Sequence, residues 1–192
     1  MTGRTHDLAA FTTLTFIIAT QPLMHMSLAT VAIAIAANMI GGVAPDIDQP
    51  TGVLWHKIPA GTLLGKVAHP FLGAHRSISH SLLGAFLASV LMHLILNYTH
   101  TFLLVDNNIV WWTFMLGYGS HLVMDTFTKE GVPWLFPIPI RFGIPPIKAM
   151  RITTGKLIET SFVFPGLLFL NGYLIYMHYG KFIDFVKNYI VR

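Results

Sequence analysis

Five apolar runs, at residues 8–24, 27–43, 81–96, 109–127 and 162–177, dominate the chain. Each approaches the roughly 20 residues that an α-helix needs to cross the hydrocarbon of a bilayer. Pro22 and Pro45 close the first two runs, as prolines close or kink helices. Thr12, Thr13, Thr15 and Thr20 dilute the first. Only 10% of the residues are charged and 54% are hydrophobic, whereas a soluble domain carries about a quarter charged residues. A water-soluble globule and a disordered chain are both excluded. The expected fold is all-α, a polytopic membrane bundle of four or five transmembrane helices in one domain, 1–192. The N-terminal run lacks a small-residue cleavage pattern and is read as a retained helix. Cysteine is absent, which removes disulfides, thiolate zinc sites and cysteine nucleophiles.

Lysine and arginine set an orientation. Segment 44–80 carries Lys57, Lys66 and Arg76, and segment 129–160 carries Lys129, Arg141, Lys148, Arg151 and Lys156. Arg4 precedes the first run, while 21–26 and 97–108 hold no Lys or Arg. The positive-inside rule then puts the N-terminus and both long connections in the cytoplasm. Five crossings leave Lys181, Lys187 and Arg192 outside, against the rule. Phe182, Phe185, Val186 and Tyr189 follow a helical i, i+3, i+4, i+7 pattern. This tail is therefore an interfacial amphipathic helix, or the fifth run does not cross fully. Pro133, Pro137, Pro139, Pro145 and Pro146 exclude one regular helix over 129–160. A hairpin or lid is expected there, with Trp134, Leu135 and Phe136 dipping into the leaflet.

Ionisable residues stand at the ends of the apolar runs, and all fall on the cytoplasmic side of that topology. They are His6 and Asp7, Asp46 and Asp48, His75, Arg76 and His80, His121 and Asp125, and Glu159. The orientation came from Lys and Arg and the cluster from His, Asp and Glu, so the agreement is a check. His121 and Asp125 are four apart, hence on one helix face. A carboxylate in an apolar helix is costly unless it is paired or holds a cation. A divalent metal satisfies it, with the imidazole one turn away as second ligand; a His–Asp hydrogen bond between helices is the plainer reading. Asp46-Ile47-Asp48 suits a hard cation or ordinary turn chemistry. Ser77 and Ser79 are candidate N-caps for the third helix. His80 and His75 are ligand candidates, His75 alternatively lying behind a ligand. Arg76 suits an anion such as phosphate, or only the positive-inside bias. His6 is a ligand candidate or a solvated imidazole. Glu159 is a candidate catalytic carboxylate or an unpaired loop acid.

Mixed imidazole and carboxylate donors suit zinc, one or two ions, with manganese or iron as alternatives. Such an ion lowers the pKa of bound water and supplies hydroxide near neutral pH. The leading expectation is a hydrolase at the cytoplasmic membrane surface. Hydroxide would attack a phosphoester, or an acyl ester, of a membrane lipid or lipid-linked substrate. Asp48 would orient the water and Arg76 would neutralise a phosphoryl oxygen. The alternative is a divalent-cation transporter or a metal-stabilised scaffold or regulatory protein. Transport needs polar groups along a path near the midplane, and only His93 and Asn97 offer stepping stones. Nucleic acid is not an expected partner. Trp111, Trp112 and Tyr98 read as an interfacial belt, and the inner leaflet accounts for the basic loops.

The motif order is Thr5-His6, Pro45-Asp46-Ile47-Asp48, His75-Arg76-(x)3-His80-Ser81, Ser120-His121-Leu122-(x)2-Asp125-(x)2-Thr128-(x)2-Gly131, then Pro137. From residue 5 to about 160 this resembles the YdjM family of inner-membrane metal-dependent hydrolases. Ser79 stands where that family often has Thr, with the hydroxyl retained. The resemblance implies a multi-pass protein of a bacterial or archaeal inner membrane, with LexA as a regulatory protein partner. A looser similarity links the motif order to the zinc-dependent phospholipase C and single-strand nuclease fold. It implies that Asp46, His80, His121 and Asp125 build one metal site. His6 would build a second, with Asp125 bridging. Third-metal ligands lack counterparts, apart from Glu159.

Overall fold

The computed structural model describes residues 1–22, 26–49 and 77–190, and the single positions 55, 61, 63 and 65. The described chain is helical: α1 (Gly3–Thr20), α2 (Leu28–Val43), α3 (Leu82–Thr99), α4 (Asn107–Thr126), α5 (Phe164–Met177) and α6 (Tyr179–Ile190). A 3-10 turn, Ala44–Asp48, extends α2, and a π-helical turn, Glu159–Val163, leads into α5. Side-chain caps start three helices. Ser27 Oγ accepts from Thr30 N, Ser81 Oγ from Gly84 N, and Asp106 Oδ1 from Asn108 N and Ile109 N, satisfying N–H groups that lack helical partners. The cap of α3 is thus Ser81, two residues beyond Ser79, and Ser79 is released for another task.

Among the described residues, three segments are long and apolar enough to cross a membrane: Leu28–Asp48, Leu82–Thr99 and Glu159–Met177. Helices α1 and α4 are of comparable length, 18 and 20 residues, but more polar. Their polarity is turned inward. Thr12, Thr13, Thr15 and Thr20 each donate to the carbonyl four residues earlier, and α4 packs against α1, α2 and α3.

The tightest contact joins α2 and α4. A Cβ on Gly41 would lie 2.1 Å from the Phe114 carbonyl oxygen, and one on Gly117 would lie 2.1 Å from that of Asn38. The backbones therefore touch, as small residues allow in apolar bundles. Asn38 Nδ2 donates to Thr113 O across the same seam (3.1 Å). On the other flank of α2, a Cβ on Gly42 would lie 2.7 Å from Ala10 Cβ, so α1 also packs closely. Asn171 Nδ2 donates to Thr12 Oγ1 (2.6 Å) and ties α5 to α1.

Lys181 Nζ donates to the Ala19 carbonyl (2.9 Å), capping the C-terminal end of α1. The chain from Glu159 to Lys181 thus runs the whole length of α1, and α6 follows as a separate amphipathic helix. Segment 129–156 holds no α-helix, as its prolines foretell. Isolated bridges pair Val132 with Phe142 and Thr128 with Ile152. Trp134 points inward, against the expectation that it dips into lipid. Its Nε1 donates to Thr126 Oγ1 (3.1 Å) and its carbonyl accepts from Leu82 N (3.0 Å). Leu135 beside it is 46% exposed.

Candidate metal centre

Close packing of α1, α2 and α4 brings their site-bearing ends to one point. His6 lies in the second turn of α1, Asp46 and Asp48 in the turn after α2, His80 before α3, and His121 and Asp125 in the last two turns of α4. His6, His80, His121 and Asp125 are at most 1% exposed, whereas Asp46 keeps 14% of its side-chain surface and marks the open side.

Four donor atoms surround one position. His80 Nε2 lies 3.3 Å from His121 Nε2, 3.5 Å from Asp46 Oδ1 and 3.8 Å from Asp125 Oδ2. His121 Nε2 lies 3.6 Å from Asp46 Oδ1 and 3.9 Å from Asp125 Oδ2. A tetrahedral zinc site with bonds of about 2.0–2.2 Å has ligand–ligand edges of about 3.3–3.6 Å. These five edges match or slightly exceed that range, so a small cation fits between the two imidazole nitrogens and a carboxylate oxygen after shifts of a few tenths of an ångström.

Hydrogen bonds orient the rings for this. His121 Nδ1 donates to the Gly42 carbonyl (2.7 Å), leaving the Nε2 lone pair to face the centre, the usual arrangement of a metal-bound imidazole. His80 turns Nδ1 toward Asp48 Oδ2 (3.5 Å) and Ser79 Oγ (3.1 Å), and Ser79 Oγ donates to Asp48 Oδ2 (2.7 Å). Tyr118 OH donates to the Ser79 carbonyl. Burial works against a charged His80, yet hydrogen bonds and the fields of Asp46 and Asp48 prevail and raise its pKa above the ordinary histidine value. Trp55 Nε1 donates to the Ile47 carbonyl (2.9 Å) and steadies the turn that carries both aspartates.

Asp125 faces two ways. Its Oδ2 joins the four-donor position. Its Oδ1 lies 3.2 Å from His6 Nε2 and receives the Met1 ammonium. His6 stacks on His121, with ring centroids 3.6 Å apart and planes within 8°. Both His6 ring nitrogens are buried; Nε2 faces Asp125 Oδ1, and Nδ1 has no hydrogen-bond partner. A buried nitrogen left unsatisfied costs about 1–3 kcal/mol. Ligand atoms of His6, Asp46 and His121 also lie within 4.8 Å of one another. The donor atoms form two overlapping groups that share His121, one of His80, His121 and Asp125 and one of His6, Asp46 and His121, and either could hold a metal ion.

The remaining sequence candidates fall elsewhere. Asp48 is fully buried behind His80, placed to hold the ring. Glu159 Oε1 accepts from Thr2 N, Thr2 Oγ1 and Thr5 Oγ1, and Oε2 accepts from Gly155 N (2.6–2.9 Å). Its carboxylate clamps the start of α1 to the start of α5, fixing the turn that carries His6. His75 and Arg76 lie outside the described residues. Ser79 and Tyr118 enter the site without having been singled out as site residues. Ser79 had a plausible capping role, and nothing in the sequence around Tyr118 separates it from other core aromatics.

Replacement of Asp48 by Asn, or of Ser79 by Ala, loosens His80 without touching the centre. Partners of this kind are typically worth about 10–100-fold in metal affinity. Metal titration of either variant is expected to show a loss in that range; unchanged affinity would remove Asp48 from the site.

No solved structure matches the chain. YvsG of Bacillus subtilis (strain 168), described as an uncharacterized protein, is 29% identical over 180 residues, which is 92% of this chain and 96% of the relative. The family of the YdjM inner membrane protein matches residues 1–182. With nearly its whole length matched, including every element that builds the buried His/Asp cluster, the chain belongs to the YdjM inner membrane protein family.

Proposed function

We propose that this protein is a metal-dependent hydrolase of the membrane interface, acting on a phosphoester or acyl ester of a lipid-like substrate. The observation that carries the proposal is the convergence of His80 Nε2 and His121 Nε2, 3.3 Å apart, with Asp46 Oδ1 and Asp125 Oδ2 each 3.5–3.9 Å from both. A divalent cation held there supplies Lewis acidity and an activated water. Zinc suits the mixed imidazole and carboxylate donors, with manganese or iron as alternatives. Asp46, the accessible ligand, faces incoming substrate. Asp48 and Ser79 keep the His80 ring turned. Arg76, four residues before His80, is assigned the anionic part of the substrate.

The orientation proposed with this function has α1 and α4 crossing alongside the three apolar segments, with the site at the cytoplasmic face. All the clustered ligands lie at one end of the helices, level with the ends of Leu28–Asp48 and Glu159–Met177. That depth matches a headgroup ester better than a conduction path. The test is turnover by detergent-purified, metal-loaded protein against a panel of phospholipids, phosphomonoesters, phosphodiesters and acyl esters. Metal-dependent release of product from one class supports the reading. Bound metal with no turnover across the panel makes the centre a scaffold. Metal-dependent uptake into proteoliposomes without turnover makes it a transporter.

A further inference from the structure

The connection from α4 to α5 carries a surface that neither the fold nor the metal centre uses. Between residues 135 and 158 the side chains of Ile138, Ile140, Ile144, Ile147, Met150 and Leu157 are each 49–72% exposed. Apolar exposure this dense along one short segment marks an interaction surface. The segment cannot drift from the bundle. Ile144 N donates to Thr126 O (2.9 Å), Ile152 N to Phe127 O (3.0 Å) and Lys129 N to Ile152 O (3.0 Å). It is tied to the C-terminal end of α4, and it re-enters at Glu159, the first residue of the membrane-length segment Glu159–Met177. Its depth is therefore that of a bilayer surface.

Charge and backbone chemistry point the same way. Arg141, Lys148 and Lys156 are exposed among the apolar side chains. Arg151 instead folds back, donating to the carbonyls of Pro145 (2.7 Å) and Pro146 (2.9 Å) and shaping the turn between them. Glu130 is the exposed acid of segment 129–160, the other acid there being the buried Glu159. Basic residues at this depth complement an anionic leaflet. Non-helical backbone near hydrocarbon leaves N–H groups without water. The five prolines between 133 and 146 have no N–H to satisfy.

We infer that residues 135–158 form a lipid-docking surface. The apolar side chains enter the leaflet next to the metal centre, and Arg141, Lys148 and Lys156 rest on anionic headgroups. The inference stands independently of catalysis.

The chain has no cysteine, so single substitutions Ile147→Cys and Met150→Cys in the full-length protein give unique labels at exposed positions. The fluorescent label is read in vesicles of phosphatidylcholine with and without phosphatidylglycerol. Nitroxides on the headgroup or shallow acyl carbons serve as lipid quenchers, and iodide as the aqueous one. The expected result is several-fold stronger quenching by shallow lipid nitroxide than by iodide, increased by phosphatidylglycerol. That increase is lost in the same labelled proteins carrying Arg141→Glu, Lys148→Glu and Lys156→Glu. Dominant iodide quenching in both vesicle types overturns the inference. Labels shielded from both quenchers also overturn it, because a protein surface would then be the occupant.

Discussion

Replacing His121 by Ala is expected to abolish stoichiometric metal binding and, with it, metal-dependent hydrolysis. His121 Nε2 makes two of the four closest approaches at the centre, and its ring is locked by Gly42. Loss of the imidazole leaves three donors and a cavity. The effect should exceed the ~10–100-fold that outer partners such as Asp48 contribute. Asp125→Asn is the sharper companion, because it keeps the shape and removes the charge. Its Oδ2 belongs to the group with His80 and His121, so the variant should lose the ion held there. Elemental analysis of purified variants reads this directly. A His121→Ala protein that keeps its full metal content would show that the ion sits elsewhere.

The second large effect comes from a residue that touches no ligand. Gly117→Ala adds a Cβ that would lie 2.1 Å from the Asn38 carbonyl oxygen and 2.8 Å from Gly42 N. Both obstacles are backbone, so the helices themselves must separate. Overpacking typically costs about 1–3 kcal/mol. Here the displaced backbone includes Gly42, whose carbonyl orients His121, and α2, which delivers Asp46. The variant is expected to melt earlier in detergent and to bind metal more weakly. Gly119→Ala, whose Cβ would meet nothing within 4 Å, should leave both properties intact and gain a little helix propensity, up to about 1 kcal/mol. Equal behaviour of the two variants would refute the claim that α2–α4 contact sets the site.

These two results rest on different kinds of information, and only one was legible in the sequence. The apolar runs at 27–43, 81–96, 109–127 and 162–177 lie within two residues of helix α2 or α4, or within a turn at α3 and α5. The run at 8–24 misplaced α1, which begins at Gly3. Apolarity cannot see a helix that starts on Arg4, Thr5, His6 and Asp7, and that early start is what carries His6 inward. His80, His121, Asp46 and Asp125 could be picked because ionisable groups at the ends of apolar helices need partners. Their meeting point depended on Gly41, Gly42 and Gly117, which in sequence are merely small residues. Glu159 shows the reverse. Its place just before an apolar run was legible, but not its burial, because its four donors come from Thr2, Thr5 and Gly155, positions that no spacing rule connects. Ser79 had a local capping role available, and Ser81 took it instead.

X-ray absorption at the metal edge of the purified, metal-loaded protein tests the central claim most directly. The account predicts a first shell of nitrogen and oxygen only, at about 2.0–2.2 Å for zinc, with outer-shell scattering from imidazole rings. A protein that takes up no metal, or a shell without imidazole scattering, would contradict it.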